Sequence, residues 1–121
     1  MKAILDTNFV IACIRRRIDF LTDLKAQGFR VVVPREVIEE MKDIRKDVAH
    51  DEKVAIDLAL QLFEKEKVEK MKLPKGKVDE GLILLGKDGN YIATLDTAIR
   101  KIIPNLIGIA NASNSVSIER K

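Results

Sequence analysis

The sequence predicts an α/β fold built on a mostly parallel sheet, and two observations support this prediction. Short strand-like segments alternate with amphipathic helical segments along the chain. The segment Arg30–Pro34 contains three consecutive valines, which is typical of a parallel strand buried on both faces. Connections of this kind are right-handed crossovers, so we expect a central sheet of four to five strands flanked by helices.

The first half of the chain contains two predicted strands and four predicted helices. Apolar residues recur at helical spacing in the helices, Gly28 supplies the end of the second helix, and Pro34 ends the second strand. In chain order, the predicted elements are a strand at Lys2–Asp6, helices at Thr7–Arg15 and Asp19–Gln27, a strand at Arg30–Pro34, a helix from Arg35 or Glu36, and a helix at about Asp51–Glu66.

The second half alternates in the same way. The helix Val78–Lys87 is apolar nearly all round, so we expect it to be central in the fold. Turn residues precede and follow that helix. In chain order, the predicted elements are the helix Val78–Lys87, a strand at Tyr91–Asp96, a helix at Thr97–Ile103 and a strand at Leu106–Ala110. The segment Val68–Leu73 is ambiguous between a loop and a short edge strand, and Ser115–Glu119 is a candidate fifth strand.

Length and composition exclude several classes of protein. The 121 residues fit one domain, which we expect to span residues 1–121. A single cysteine and a single histidine exclude an intrachain disulfide and a Cys/His zinc site. No segment has the length of a membrane span or the pattern of a signal peptide, so we expect a cytoplasmic protein with no membrane partner. Acids are abundant, which favours carboxylate and metal chemistry.

Two acids follow strands in nearly identical contexts. Ala3-Ile4-Leu5-Asp6-Thr7 and Ala93-Thr94-Leu95-Asp96-Thr97 share four of five residues. Ligands of open parallel sheets bind beyond the carboxyl ends of the strands, so neighbouring strands would bring Asp6 and Asp96 into one crevice. Each aspartate is also a good N-cap for the helix that follows it. Because the two motifs match, a shared functional site and a pair of simple helix caps are about equally strong interpretations.

Two further acids are placed to join this crevice. In the helix after Pro34, Glu40 lies on the flank of the apolar stripe, whereas Glu39 lies nearly opposite the stripe. Asp79 begins a helical face that continues into apolar residues, and Glu80 is the weaker candidate for the same position. The alternative interpretations are a solvated glutamate and a first-turn acid favoured by the helix dipole.

Four converging carboxylates would repel one another unless a cation lies between them. Oxygen-only ligands favour Mg²⁺ or Mn²⁺, which can activate water for attack on phosphorus. The chain contains neither the glycine-rich loop of dinucleotide-binding proteins nor that of P-loop proteins. The residues therefore indicate metal-assisted phosphoryl chemistry and argue against those two modes of nucleotide binding.

Four motifs together resemble the PIN-domain ribonucleases. They occur in order over about residues 2–110: Leu5-Asp6-Thr7-Asn8, Val37-Ile38-Glu39-Glu40-Met41, Val78-Asp79-Glu80-Gly81-Leu82-Ile83 and Ala93-Thr94-Leu95-Asp96. The resemblance implies a PIN-like three-layer sandwich and an endoribonuclease that depends on Mg²⁺ or Mn²⁺. It implies products with 5′-phosphate and 3′-hydroxyl ends.

The resemblance also assigns roles to individual residues. The implied catalytic acids are Asp6, Glu40, Asp79 and Asp96. Of these acids, Asp6, Asp79 and Asp96 would hold the metal. Hydrogen bonds from Thr7, Asn8 and Thr94 would support the acidic site. Between Asp79 and Glu80, we prefer Asp79 because of its spacing to Leu82.

Basic residues provide candidate contacts to RNA. Six lysines fall between Lys65 and Lys77, and three arginines lie at Arg15–Arg17, although a solvated surface explains most such residues. Arg100 and Lys101 follow Asp96 and are the candidate RNA-binding residues nearest the predicted site.

Biological roles and alternative functions stay open at the level of sequence. The segment Ala93–Arg100 resembles the rRNA-processing branch of the family, while small archaeal relatives are also VapC-type toxins. The resemblance therefore implies RNA as substrate, with an antitoxin protein or a second copy of the chain as further partners. A non-catalytic PIN-type module that binds RNA or protein is one alternative. A phosphoacceptor receiver domain is another, but it would need an acidic pair where the chain has only Asp6.

Overall fold

The computed structural model describes all residues from Met1 to Lys121 and contains six strands and six helices. Most element boundaries agree with the sequence prediction within two residues. In chain order, the elements are β1 (Lys2–Leu5), α1 (Thr7–Arg15), α2 (Phe20–Ala26), β2 (Arg30–Pro34), α3 (Arg35–Arg45), α4 (His50–Lys65), β3 (Glu69–Met71), α5 (Val78–Lys87), β4 (Tyr91–Ala93), α6 (Thr97–Ile102), β5 (Asn105–Ala110) and β6 (Ser115–Arg120).

The six strands form one sheet in the order β3-β2-β1-β4-β5-β6. The first five strands in this order are parallel, and β6 pairs antiparallel with β5. The chain moves from β1 outward to β2 and β3, and then returns to the other side of β1 to form β4. The strand order therefore reverses between β1 and β4, which is where open α/β sheets form their ligand crevice.

Alternate residues of the central strands pack into two separate cores. Ala3 and Leu5 of β1 face the larger core together with helices α1 to α4, whereas Ile4 faces the smaller core under α5 and α6. Val32 of β2 likewise points away from its neighbours Val31 and Val33. This alternation follows from the period of two along a strand. The architecture is therefore three layers, helix on sheet on helix.

Three details differ from the sequence prediction. The sheet has six strands rather than four to five, because both Glu69–Met71 and Ser115–Arg120 pair into it. Strand β4 ends at Ala93 rather than at Asp96. Helix α5 is not central, because it covers one face of the sheet and leaves 38% of Leu84 exposed. An apolar surface all round the helix does not require burial all round, since isolated exposed apolar residues are common.

The two glycines of α5 explain how this helix approaches its neighbours. A Cβ atom on Gly81 would lie 2.8 Å from the Cβ of Leu73, and one on Gly86 would lie 2.6 Å from a methyl carbon of Ile103. Any larger residue would push the helix outward. Gly81 therefore allows the first turn of α5, which carries Asp79 and Glu80, to pack closely on Leu73, and Gly86 allows the last turn to pack closely on Ile103.

None of the helices combines the length and the apolar character that a membrane crossing requires.

Candidate active site

Asp6 lies at the carboxyl end of β1, beside the end of β4. Its backbone N–H donates to Ala93 O at 2.9 Å and so extends the pairing of the two strands by one residue. The carboxylate is 6% exposed, and both of its oxygens accept hydrogen bonds. Oδ1 accepts from the backbone N–H of Thr7 at 2.8 Å, and Oδ2 accepts from the hydroxyl of Thr94 at 2.7 Å. Asp6 is therefore fixed from two elements at the switch point of the sheet.

The environment of Asp6 disfavours its charged form. Burial raises the pKa of the Asp6 carboxyl above its usual range, and the hydrogen bonds from Thr94 and Thr7 oppose that rise. The negative charges of Glu40 and Asp79 raise the pKa of Asp6 further. A buried carboxylate held beside other acids is a common feature of functional sites.

Glu40 is half-buried on α3 and is connected to Asp6 through Thr7. The Thr7 hydroxyl donates to Glu40 Oε1, while the Thr7 backbone N–H donates to Asp6. The neighbouring Glu39 is exposed and pairs with Lys42 at 3.6 Å. Glu40 therefore faces the edge of the sheet and Glu39 faces solvent, as the helical spacing predicts.

Asp79 and Glu80 are exposed in the first turn of α5. With Glu40, Lys77 and Val78 they line an open cleft of ≈ 430 Å³. Asp79 is among the charges that raise the pKa of Asp6, and Glu80 is not. Asp79 therefore acts on the buried carboxylate electrostatically, which favours it over Glu80 as the third acid.

Asp96 has a different environment from Asp6. Its Oδ1 accepts from the backbone N–H groups of Ala98 and Ile99 at 2.8 and 3.2 Å, so the carboxylate caps α6. Its own N–H donates to the hydroxyl of Thr94 at 3.1 Å. Thr94 therefore joins the two aspartates, although neither carboxylate contacts the other. Asp96 keeps its second oxygen free of protein hydrogen bonds.

The remaining predicted residues have distinct positions. Asn8 is exposed on the first turn of α1, and its side chain forms no hydrogen bond within the protein. Arg100 is turned inward, where its guanidinium donates to Thr94 O at 2.9 Å and to the carboxylate of Glu119. Arg100 therefore supports the segment that carries Thr94. Lys101 is exposed and unpaired. The predicted RNA binding of Arg100 and Lys101 stays a prediction.

The four predicted acids share one edge of the sheet but do not form a closed cage. No three His, Cys, Asp or Glu side chains lie close enough together to hold a metal ion. None of the four acids belongs to an ion pair, although the chain forms seven ion pairs elsewhere. None of the four acids is therefore neutralised by an ion-pair partner within the protein.

Glu36 has a positioning role that the sequence did not predict. Its two carboxylate oxygens accept from the backbone N–H of Leu73 at 3.1 and 3.3 Å. This contact ties the segment after β3 to the first turn of α3. The partners lie 37 residues apart along the chain, and helical spacing gives no signal for such a contact.

Comparisons with known proteins agree with this architecture. In the solved structures, the PIN domain endonuclease Utp24 matches with a TM-score of 0.75 at 20% sequence identity, covering 99% of this chain and 92% of that chain. No curated protein sequence matches the chain. The sequence model of the PIN-like domain family matches residues 3–109. The chain therefore belongs to the PIN-like domain family, and this membership supports a nuclease role.

Proposed function

We propose that this protein is a metal-dependent endoribonuclease that hydrolyses RNA phosphodiester bonds. The observation that carries the proposal is the buried carboxylate of Asp6, which has no cationic partner and lies at the switch point of the sheet beside Glu40 and Asp79. Asp6 also caps α1, but a helix cap does not require burial, and burial of a carboxylate with no cationic partner is unfavourable. A site for a cation explains the arrangement.

The donor set fits a hard divalent cation. All of the candidate ligands are carboxylate oxygens, which Mg²⁺ and Mn²⁺ prefer over softer metals. Asp6, Asp79 and Asp96 would hold the ion, and Glu40 would complete the site. Asp79 is exposed and Asp96 has a free oxygen, so both can adjust to a ligand. When bound, the metal activates a water molecule and neutralises charge on the attacked phosphate.

The protein's own groups supply the order of the site. Thr94 and the backbone of Thr7 fix the two oxygens of Asp6, and the Thr7 hydroxyl fixes Glu40. Arg100 holds the backbone of Thr94 from the other side. Preorganised carboxylates lose little freedom when the RNA and the ion arrive, which lowers the barrier to reaction. The products would carry 5′-phosphate and 3′-hydroxyl ends.

The direct test is RNA cleavage with and without Mn²⁺ or Mg²⁺. Wild type would be compared with Asp6→Asn and Asp96→Asn, and with Asp88→Asn as a matched control on an exposed acid at the far end of α5. We expect cleavage by wild type and by the control, but not by Asp6→Asn. Equal cleavage by all four proteins would indicate a contaminating nuclease and contradict the proposal.

The second candidate is a non-catalytic RNA-binding module of the same fold. It is favoured by one observation, namely that no three acids form a ready metal site. Its signature would be RNA binding that weakens with salt, needs no divalent metal and is not followed by cleavage. The same assay therefore separates the two functions.

Within the nuclease proposal, a role in rRNA processing is favoured over a VapC-type toxin by the segment Ala93–Arg100. Induced expression in cells distinguishes the two roles. A toxin would arrest growth unless Asp6 is replaced by Asn or an antitoxin is co-expressed. A processing enzyme would leave growth intact and cut a defined precursor.

Light scattering of the purified protein would test the proposed homodimer.

A further inference from the structure

The fold divides the lysine-rich segment between two opposite edges of the sheet. Lys65 ends α4 and Lys67 lies in the turn before β3, so both lie at the amino end of that strand. Lys72, Lys75 and Lys77 follow β3 and therefore lie at its carboxyl end. Because β3, β2 and β1 are parallel, this is also the edge that carries Asp6. The lysines that are close together in the sequence therefore lie on two separate surfaces of the protein.

The three lysines at the carboxyl edge are exposed and unpaired. Lys70, within β3, pairs with Glu64 at 3.1 Å and is partly buried. By contrast, Lys72, Lys75 and Lys77 form neither an ion pair nor a side-chain hydrogen bond within the protein. Their ammonium groups are available to a ligand.

The segment that carries these lysines is fixed at both ends. Near its start, the Leu73 backbone is held by Glu36, and the Leu73 side chain is buried against Gly81. At its end, Lys77 is the N-cap residue of α5, and its carbonyl accepts from the N–H of Gly81 at 3.0 Å. The backbone between 72 and 77 therefore spans a defined gap beside the site. Cations carried by an anchored segment can act at defined positions.

Two of these lysines, Lys72 and Lys77, border the predicted acids, whereas Lys75 lies between them along the chain and lines neither cleft. Lys77 lines the ≈ 430 Å³ cleft that also contains Glu40 and Asp79. Lys72 lines an adjoining cleft of ≈ 520 Å³, which Glu40 also lines. Glu40 belongs to both clefts, so one continuous surface leads from Lys72 past Glu40 to Lys77. The two clefts are mostly acidic, because Glu36, Glu39, Asp43 and Glu80 line them as well. Lys72, Lys77 and Arg35 therefore supply the positive charge that a polyanion needs there.

We propose that segment 72–77 is a phosphate-binding loop that holds the RNA backbone beside the catalytic acids, with contacts from Lys72, Lys75 and Lys77. This inference rests on the proposed function. The recognised chemistry is the sugar-phosphate backbone of a single strand. Lysines on this loop bind phosphates as point charges, so the contact is independent of base identity.

The test compares two triple variants of equal net charge in the Asp6→Asn background, which separates binding from cleavage. The loop variant is Lys72→Ala, Lys75→Ala and Lys77→Ala. The control variant is Lys25→Ala, Lys65→Ala and Lys87→Ala. The three control lysines are exposed, lie in the last turns of α2, α4 and α5, and face the amino edge of the sheet.

Binding of a fluorescein-labelled single-stranded RNA would be followed by anisotropy over a range of salt concentrations. For the loop variant we expect roughly tenfold weaker binding or more, and a salt slope shallower by about 2, as the loss of three phosphate contacts requires. The control should keep the slope of the Asp6→Asn protein. Circular dichroism would verify that both variants are folded.

Two outcomes would overturn the proposed loop: equal weakening in both triple variants, or no change in the loop variant. Failure of the loop proposal can be distinguished from failure of the nuclease proposal. Selective weakening without any cleavage by wild type would uphold the loop and reject the nuclease. Cleavage by wild type together with unaltered binding by the loop variant would uphold the nuclease and reject the loop.

Discussion

Asp6 and Asp96 follow nearly identical sequences but have different environments. Each aspartate is the N-cap residue of the helix that follows it. Asp6 is buried and its second oxygen accepts from Thr94 after another strand, whereas Asp96 is half-buried and its carboxylate accepts only from its own helix. The register explains the difference. Leu5 pairs with Ala93, so Asp6 lies level with Thr94, and Asp96 lies two residues further along. A repeated motif therefore does not create two equivalent sites, because the neighbouring strand decides what each residue meets.

The two residues before each aspartate also differ in their contacts and burial. Leu5 is completely buried within β1, while Leu95 is 37% exposed because β4 has already ended. Thr94, which has Ile4 as its counterpart in the first motif, takes the place beside Asp6. Its hydroxyl donates to Asp6 and accepts from the backbone of Asp96. Thr94 is the one position at which the two motifs differ, and it links the two aspartates.

Replacement of Asp6 should have the largest effect. We expect Asp6→Asn to lower kcat/KM for RNA cleavage by at least about 100-fold, because it removes the buried charge on which the proposed metal site depends. The replacement keeps an acceptor for the N–H of Thr7, so the protein should fold. A loss of less than about tenfold relative to Asp88→Asn would place the chemistry elsewhere.

Replacement of Thr94 tests the contact that distinguishes the two motifs. Thr94→Val should lower activity by about 10- to 100-fold, as is typical when a group that orients a metal ligand is lost. It should also destabilise the protein by about 1–3 kcal/mol, because a buried acceptor loses its partner. Thr94→Ser keeps the hydroxyl and should restore activity in the same cleavage assay. Failure of serine to do so would show that the methyl group, and not the hydrogen bond, matters.

The cap formed by Asp96 can be separated from its proposed role at the metal. Asn caps helices about as well as Asp, so Asp96→Asn should retain the free energy of unfolding, whereas Asp96→Ala should lose about 1 kcal/mol. Urea denaturation measures both values. If both variants lose cleavage but only the alanine variant loses stability, the charge of Asp96 serves chemistry. Equal loss of stability in both would contradict the description of Asp96 as a helix cap.

The smallest expected effect is a pH dependence of the difference in stability between wild type and Asp6→Asn, which isolates the contribution of Asp6. Its pKa is raised in the folded protein by burial, so the ionised carboxylate destabilises the metal-free fold at neutral pH. In the presence of a chelator, Asp6→Asn should therefore be more stable than wild type near neutrality. That advantage should shrink as pH falls through the raised pKa of Asp6, since wild type then gains its proton. An advantage that grows towards acid pH would contradict the raised pKa.

Local patterns predicted the fold well because they report on burial. The valines of Arg30–Pro34 are buried on alternate faces, and Gly28 has the positive φ of a residue that ends a helix. The spacing of apolar residues also predicted which glutamate of α3 faces the sheet edge. These features depend on neighbours within a few residues, so the sequence displays them directly.

Features that depend on distant partners were not predictable in the same way. The register that places Thr94 beside Asp6 joins residues 88 positions apart. The contact between Glu36 and Leu73 and the inward turn of Arg100 are of the same kind. The split of the lysine run required knowing that β3 enters the sheet between Lys67 and Lys72. The sequence identifies the candidate residues, but the pairing of the strands determines which of these residues are in contact.

The proposed function depends on a divalent cation that binds at Asp6 together with other acids of the same edge. A crystal structure of the wild-type protein soaked in Mn²⁺, with anomalous scattering to locate the metal, tests it most directly. We predict a manganese peak bound by Asp6 and at least one of Glu40, Asp79 and Asp96, and no such peak in Asp6→Asn. A protein that cleaves RNA while its manganese lies away from Asp6, or binds equally well in Asp6→Asn, would contradict the account.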